Sequence, residues 1–449
     1  MKLLRWLYPG LKVKRWLLLF SVGFVATAAG LALVAAGTLD GRAGGVARDL
    51  AGRLLSVNRW EWGIILVVLG LALAGFSLAR LGTSFALSLE PRGRSGLGEV
   101  LYRRRQLVRG PRLVVIGGGT GLPVLLRGLK EYTSNLTAVV TVCDDGGSSG
   151  RLRGELGILP PGDLRNCLVA LADTEPLVER LFLYRFGEES ALAGHSFGNL
   201  FIATLWQITG DFREAVRESS EVLAVRGQVL PSTLRNTVLC AELEDGRVVR
   251  GESRIPTAGG RIRRVYLDPP DAEAPEEVLQ AIRAADAVVL GPGSLYTSIL
   301  PNLLVRGVAE ALRSSRAIKF YVCNIMTQPG ETDGYTVADH LEAIQRHGGP
   351  GLVDLVVANT GPIPEALAER YRREGAEVVR VPPEGLQGVR VLSGNLVAGD
   401  GFVRHDPVRL AELLLREVVA RRMGSERRRF LDFYLLGERL KHRRGAGSA

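Results

Sequence analysis

The chain has 449 residues, enough for two or three domains, an ordinary apolar share of 46% and a net charge of +10. Its four cysteines, Cys143, Cys167, Cys240 and Cys323, are widely spaced and form no CxxC pattern, which excludes a cysteine metal site and fits small buried thiols in a reducing cytosol. No helix-turn-helix, zinc or aromatic RNA-binding pattern accompanies the positive charge, so nucleic acid is not an expected partner.

Taken in chain order, the first element is an uncharged run from Trp16 to Ala36. It is long enough to cross a bilayer core of about 30 Å as a helix. Trp62 to Leu81 is a second run, charged only at Arg80. Neither has a polar face, so the pair reads as a membrane hairpin rather than as two core helices or a cleaved signal. Lys2, Arg5, Lys12, Lys14 and Arg15 precede the first run, and Arg80, Arg92, Arg94 and Arg103 to Arg105 follow the second. The loop between them offsets Arg42, Arg48, Arg53 and Arg59 with Asp40, Asp49 and Glu61. Both flanks are therefore expected on the cytoplasmic side of a two-pass anchor, with both termini and the soluble domain in the cytoplasm. Trp6, Trp16, Trp60 and Trp62 suit the membrane interface. The expected division is an anchor over 1–82, a basic linker over 83–110, an α/β domain over 111–406, and a C-terminal helix with a basic tail over 407–449. Such basic clusters are attracted to anionic headgroups.

Within the domain, short runs rich in β-formers at 113–116, 138–143, 287–290, 317–323, 353–358 and 377–381 are each followed by loop and helix patterns. Continuous apolar strands of this kind are buried on both faces of a parallel sheet. The expected fold is a Rossmann-like, doubly wound α/β domain, with ligands at the carboxyl ends of the strands. Residues 238–243 and 248–251 predict a β-hairpin around a two-residue Asp245-Gly246 turn, and 261–267 adds a third strand. This makes a small antiparallel insertion. A helix is expected over 408–419, and an apolar patch over 430–436 is expected to dock or to lie on a membrane.

Three glycine-rich loops fall on the carboxyl edge. Gly117 to Gly121 joins a strand to a helix, as in an anion cradle. The third position of the dinucleotide fingerprint is Leu122, so NAD is not expected. Asp144-Asp145-Gly146-Gly147-Ser148-Ser149-Gly150-Arg151 sets two carboxylates beside a phosphate-type nest, which suits Mg²⁺ with phosphate, or a capped turn. Gly291-Pro292-Gly293-Ser294-Leu295-Tyr296 repeats the close-approach pattern. Tyr296 stacks on a base or bonds a sugar, or is a core tyrosine. Asp163 is an N-cap or a site residue. Asn199 follows His195-Ser196 at a helix start and is expected to reach a base or ribose, and Ser196 lacks the glycine spacing of a nucleophile elbow. His340 and His347, seven apart on a predicted helix, are expected as surface or core histidines rather than a metal pair. Residues 324–332 should lie beside the third loop.

Seven strings, IGGGTGLPVLLRGLK, TVCDDGGSSGRLR, PPGDLRN, AGHSFGNL, RGQVLP, GPGSLYTSILPNLL and YVCNIMTQPGETDGYT, together resemble the bacterial gluconeogenesis-factor (YvcK-like) family. Its sibling is the 2-phospho-L-lactate transferase (CofD-like) family. The resemblance spans about Arg112 to Gly401 and does not extend to the hairpin. It implies a Rossmann-like fold that binds a nucleotide-diphosphate ligand. For the YvcK-like branch it implies a UDP-sugar, especially UDP-N-acetylglucosamine, and a link between carbon metabolism, cell-wall (peptidoglycan) synthesis and cell shape, with no activity that defines the branch. For the sibling it implies Mg²⁺-dependent transfer from a nucleotide-activated phosphoester. By motif it places ligand contact on Gly118, Gly119, Thr120, Asp144, Asp145, Gly147, Ser148, Ser149, Asn199, Gly291, Gly293, Ser294 and Tyr296, with Asp144 and Asp145 as Mg²⁺ ligands and as candidates for catalysis. Expected partners are the cytoplasmic membrane, from the two apolar runs, together with cell-wall synthesis proteins, a Ser/Thr kinase and a second copy of the chain.

Overall fold

The computed structural model describes residues 13–39, 59–86, 106–173, 176–382, 385–386, 388–399, 401–423 and 436. The chain divides into two compact units, Met1–Gln106 and Leu107–Ala449.

The described part of the first unit is two helices, α1 (Val13–Leu39) and α2 (Arg59–Ala86). Within them, Leu18–Ala35 and Glu61–Arg80 are long and apolar enough to cross a membrane. Leu18, Phe24, Val25 and Leu69 are 63–66% exposed. The helices approach along glycines seven residues apart. A Cβ on Gly23 would lie 2.8 Å from the Gly70 carbonyl, and one on Gly30 would lie 2.6 Å from the Gly63 carbonyl. Backbones come this close only where side chains are absent. The Thr27 and Ser77 hydroxyls donate to carbonyls of their own helix, at Gly23 and Leu73, which satisfies them without a partner. The expected loop between the helices and most of the expected linker lie outside the described residues.

The second unit holds a seven-stranded sheet and a three-stranded one. Chain order gives β1 (Leu113–Gly117), β2 (Leu136–Val140), β3 (Gln228–Pro231), β4 (Val238–Leu243), β5 (Val248–Arg250), β6 (Ile262–Asp268), β7 (Ala287–Leu290), β8 (Ile318–Val322), β9 (Leu355–Asn359) and β10 (Arg390–Gly394). The large sheet runs β10-β9-β8-β7-β1-β2-β3 and its named pairings are parallel. The chain works outward in one direction through β1, β2 and β3, then in the other through β7 to β10. The switch point lies between β1 and β7.

Alternation along the strands builds two cores. Leu113 and Val115 face one layer, and Val114 and Ile116 face the other. The first layer is covered by α3 (Gly121–Leu129), α4 (Gly147–Leu156), α5 (Gly162–Leu171), α6 (Pro176–Leu183), α7 (Phe197–Thr209) and α8 (Phe212–Val222). The second is covered by α9 (Glu276–Ala284), α10 (Leu300–Leu304), α11 (Val308–Ser314) and α12 (Val337–Gly348). In α3, Leu122, Leu125, Leu126 and Leu129 repeat at helical spacing and are fully buried. Each contributes about 1.5–3 kcal/mol of apolar burial. After α13 (Glu365–Arg373) and β10 comes α14 (Pro407–Met423). This last helix belongs to the domain core, which moves the expected boundary at 406. Leu410, Leu414, Leu415 and Val418 join the first core, and the Tyr132 hydroxyl donates to Glu412 at 2.9 Å. Leu436, from the expected apolar patch, is buried in the same core, and 430–435 lie outside the described residues.

Three local expectations need correction. The insertion is antiparallel as expected, in the order β5-β4-β6, but its turn is longer. Leu243 N–H donates to Arg247 C=O and Gly246 N–H donates to Leu243 C=O, leaving the three residues Glu244-Asp245-Gly246 in the loop. Gly246 sits at φ +87°, so glycine serves the bulge position of a three-residue hairpin. Residues 377–381 are not a sheet strand. They pair instead with the loop after β8, through Thr327 N–H to Glu377 C=O and Val379 N–H to Ile325 C=O. The strand that flanks β9 on the side away from β8 is β10. Asp163 is not the cap of α5: that position is Pro161, and the carboxylate points elsewhere.

Candidate functional site

The loops after β1 and β7 meet at the switch point, where an open parallel sheet leaves a crevice for ligands. They pack backbone to backbone. A Cβ on Gly121 would lie 2.6 Å from the Pro292 carbonyl oxygen, and one on Gly293 would lie 3.3 Å from the Gly118 carbonyl oxygen. Asn302, from α10, ties both together by donating to Gly117 C=O at 3.1 Å and Ser298 C=O at 2.7 Å. Gly119 adopts φ +62° and is half-buried, and Thr120 is exposed beside it. Gly119 N–H is occupied from within, donating to Asp163 Oδ2 at 2.7 Å. The loop after β8 closes one side, with Gln328 donating to Ser294 Oγ at 2.7 Å and Asn324 donating to Gln328.

The second loop leads into α4. Asp144 Oδ1 accepts Gly146 N–H at 2.9 Å, and Asp145 Oδ1 accepts Ser253 N–H at 2.9 Å. Ser253 belongs to the short helix after β5, so the insertion reaches the site. No other hydrogen bond to either carboxylate occurs among the described residues. Gly147 is exposed, and a Cβ there would meet nothing within 4 Å. Ser148 and Ser149 are each 3% exposed. The Ser149 hydroxyl accepts Gly162 N–H at 3.1 Å, locking the loop to α5. The Ser148 hydroxyl lies 3.1 Å from His195 Nδ1 and 3.1 Å from Asn199 Nδ2.

Asn199 is 2% exposed and engaged at both ends, because its Oδ1 accepts from Arg165 Nη1 at 3.0 Å. It therefore positions Ser148 and Arg165 rather than presenting an amide to a base. Ser196 is the cap of α7. Its hydroxyl accepts Asn199 N–H and a short hydrogen bond from Arg165. Tyr296 takes the core alternative: it is fully buried, with its hydroxyl 2.8 Å from the Tyr335 hydroxyl and its ring edge-on to His347. Burial and the Tyr335 hydroxyl push its phenol well above the ordinary range. His340 is also buried, and its Nδ1 lies 2.8 Å from Thr336 C=O.

Three further carboxylates converge here, Asp163, Glu252 and Glu331, and the sequence motifs do not flag the last two. Burial pushes Asp163 up to about 6, with Asp144 adding to the rise. Burial pushes Glu252 up to about 8, reinforced by Asp144, Asp163, Glu331 and Asp145. Burial pushes Glu331 up to about 7, against hydrogen bonds from Thr297 and from the Tyr296 and Thr297 backbone. Glu331 Oε2, Arg165 Nε, Thr141 Oγ1, Arg153 Nη1 and Asn302 Oδ1 are buried at this edge without a hydrogen-bond partner. Native proteins leave few such atoms, and they cluster where a ligand or ion completes the network. Glu252 and Glu331 escape sequence reasoning because each reaches the edge from a distant loop. In sequence, only the position of Glu331 after a predicted strand hints at its role.

Among the described residues, no three His, Cys, Asp or Glu side chains converge as a metal site. Asp144 and Asp145 each keep one oxygen outside the backbone hydrogen bonds. Mg²⁺ commonly takes one or two carboxylates and completes its shell with water and substrate phosphates. The pair fits that pattern provided a ligand brings the remaining oxygens.

A family model described as 2-phospho-L-lactate transferase CofD matches residues 113–397. A putative gluconeogenesis factor of Clostridium acetobutylicum is 44% identical, over 99% of this chain and 98% of its own length. The gluconeogenesis factor of Bacillus subtilis is 52% identical, over 68% of this chain and 97% of its own length. A solved structure of a Bacillus halodurans protein superposes with a TM-score of 0.67 at 53% identity, covering 68% of this chain and 99% of that one.

Proposed function

The chain belongs to the CofD family, in the company of bacterial gluconeogenesis factors, and on that premise we propose that its α/β domain binds a nucleotide-diphosphate sugar of the UDP-N-acetylglucosamine type. The observation that carries the reading is the close backbone packing of the Gly117–Gly121 and Gly291–Ser294 loops at the carboxyl ends of β1 and β7. Bare backbone from two loops meets there at the switch point, beside a second loop whose Gly147 is open to a ligand. A diphosphate suits such backbone approach. In this reading the two apolar helices tether the domain to the cytoplasmic membrane, where it reports nucleotide-sugar supply to cell-wall synthesis and so influences cell shape.

The second reading is a Mg²⁺-dependent transferase acting on a nucleotide-activated phosphoester. It is favoured by the free oxygens of Asp144 and Asp145 and by the name of the matching family model. A metal held there would neutralise phosphate charge. Asp163 and Glu252, with raised proton affinity, would hold or move a proton beside it.

One experiment separates the two readings. The full chain in detergent is titrated with UDP-N-acetylglucosamine by calorimetry, with and without Mg²⁺, and the mixture is then assayed for cleavage or transfer. Binding with the ligand recovered intact supports the regulator. Turnover supports the transferase. No binding defeats the nucleotide-sugar assignment.

A further inference from the structure

Helix α7 departs from the pattern of a surface helix, because Phe197–Thr209 contains no charged residue. Its inward side buries Gly198, Asn199, Ile202 and Ala203. Its outward stripe, Phe197, Phe201, Thr204 and Ile208 at helical spacing, is apolar as well, since the Thr204 hydroxyl donates back to Leu200 C=O at 2.9 Å. A helix that is apolar all round belongs in an interior. Neighbouring α6 covers only the start of this stripe. Phe182 packs edge-on against Phe197 and Phe201, with ring centroids 5.8 and 5.0 Å away, and a Cβ on Gly198 would lie 2.6 Å from the Phe182 carbonyl oxygen.

The other side of α6 is apolar too. Leu177, Leu181 and Tyr184 follow the helical repeat on the face opposite Phe182. Together with Leu183 and Ile208 they leave 43–73% of their surface open. At roughly 200 Å² for a large side chain, the five expose about 500 Å², in the upper part of the range for the largest apolar patch on a soluble monomer. Burial against an identical face removes about 1,000 Å² from solvent, which is the area a specific interface needs, before any polar rim is counted. The rim is self-complementary in charge. Arg180 lies beside the stripe of Leu177, Leu181 and Tyr184, and Glu188 and Glu189 lie in the loop that follows. All three are exposed, and among the described residues they make no ion pair. A two-fold axis presents the same surface on both sides, so the arginine of one copy can meet the acidic pair of the other. An anionic bilayer would instead repel that acidic pair.

We propose that α6 and α7 are the interface of a two-fold homodimer of this chain, in which each copy covers the apolar face of its partner and Arg180 of each copy pairs with the acidic loop of the other. The inference is independent of which ligand the carboxyl edge of the sheet takes.

The test uses the full chain. Sedimentation in detergent is expected to show a dimer. Leu181→Glu and Ile208→Glu are each expected to weaken it by about tenfold or more and to leave the far-UV circular dichroism unchanged, because both side chains are exposed in the single copy. Should either variant fail to fold, charge reversal carries the test. Arg180→Glu alone, and Glu188→Arg with Glu189→Arg, are each expected to weaken the dimer by about threefold, and the three substitutions together to restore it. A chain that stays monomeric overturns the proposal, as does a dimer that none of these substitutions weakens, which would place its interface elsewhere. The bilayer alternative is tested in vesicles of phosphatidylcholine and phosphatidylglycerol. Leu181→Cys supplies a reactive thiol there, since the four native cysteines are buried. Cross-linking by a bis-maleimide, abolished by Ile208→Glu, supports the homodimer. Protection from maleimide without a cross-link means that lipid covers the face, and free labelling without a cross-link means that nothing does; either result overturns the proposal.

Discussion

Gly121→Ala tests whether the loops after β1 and β7 are pressed together backbone to backbone. Gly121 opens α3, so on conformational grounds alanine there gains about 0.5–1 kcal/mol of helix stability. The structure predicts the opposite sign. The new Cβ would sit 2.6 Å from the Pro292 carbonyl oxygen, 2.9 Å from its carbon and 3.1 Å from Gly293 N. All three atoms are backbone, so the loops must part to admit it. Overpacking of this kind costs roughly 1–3 kcal/mol. The clash exceeds the propensity gain, and the expected net loss is about 1–2 kcal/mol, or about 2–4 °C in Tm for a domain of this size. Gly154→Ala is the matched control: it lies inside α4 with nothing within 4 Å of the added Cβ. It is expected to stabilise by about 0.5–1 kcal/mol. Urea denaturation of both variants measures the difference directly. If Gly121→Ala is as stable as Gly154→Ala, the loops are not in contact and the switch-point edge as described is wrong.

Three further outcomes are expected. Burial raises the Glu331 pKa to about 7, so the native state keeps a proton that the unfolded chain, with a carboxyl near 4.3, gives up. Stability from this group is fully present below about pH 4 and is lost as pH rises to about 7, by up to roughly 4 kcal/mol. Glu331→Gln should flatten that decline in denaturation curves, and an unchanged slope would contradict the assignment. Ser196→Ala removes the cap of α7 and an acceptor of Arg165, at a cost of about 1–2 kcal/mol; a loss under about 0.5 kcal/mol in urea denaturation would show that the network is not a support. Asp145→Asn keeps the acceptor for Ser253 N–H but drops the charge. It should erase any Mg²⁺-dependent gain in UDP-N-acetylglucosamine affinity and spare the Mg²⁺-free affinity, whereas an undiminished Mg²⁺ effect in calorimetry would place the ion elsewhere.

The parallel sheet was legible because its central strands are continuous apolar runs, buried on both faces, and the glycine loops between strand and helix marked its carboxyl edge. The edge strands were harder. Gln228–Pro231 is four residues long with only Val229 and Pro231 buried, and Arg390–Gly394 buries only Leu392. Residues 377–381 have strand-like composition, but their hydrogen bonds go to the Ile325–Thr327 segment, a pairing that no local pattern encodes. The hairpin was placed correctly, yet its turn was one residue short because Asp-Gly serves both two- and three-residue loops. The site was legible as an edge and less so as a set of roles. Glu252 arrives from the antiparallel insertion and meets Asp144, Asp145 and Asp163 only in three dimensions.

Motif residues at this edge divide into those that face the crevice and those that hold it in shape, and hydrogen-bond accounting makes the division. Asn199, Ser149 and Ser196 have their polar groups satisfied by Arg165, Gly162 and one another, so their chemistry is spent inside the protein. Tyr296 spends its hydroxyl on Tyr335. The groups left with unused capacity are different ones: the second oxygens of Asp144 and Asp145, Glu331 Oε2, and Arg165 Nε. Carboxylates reach the edge from the loops after β2, β5 and β8, whereas guanidinium groups and His195 gather between α4 and the start of α7. A ligand that meets both sides needs anionic oxygens for the second and either a cation or protonated carboxyls at the first. A phosphate-bearing ligand accompanied by Mg²⁺ meets both demands at once. That requirement follows from the unused hydrogen-bonding atoms, and it is why the Mg²⁺ dependence of binding is the measurement that bears most directly on the site.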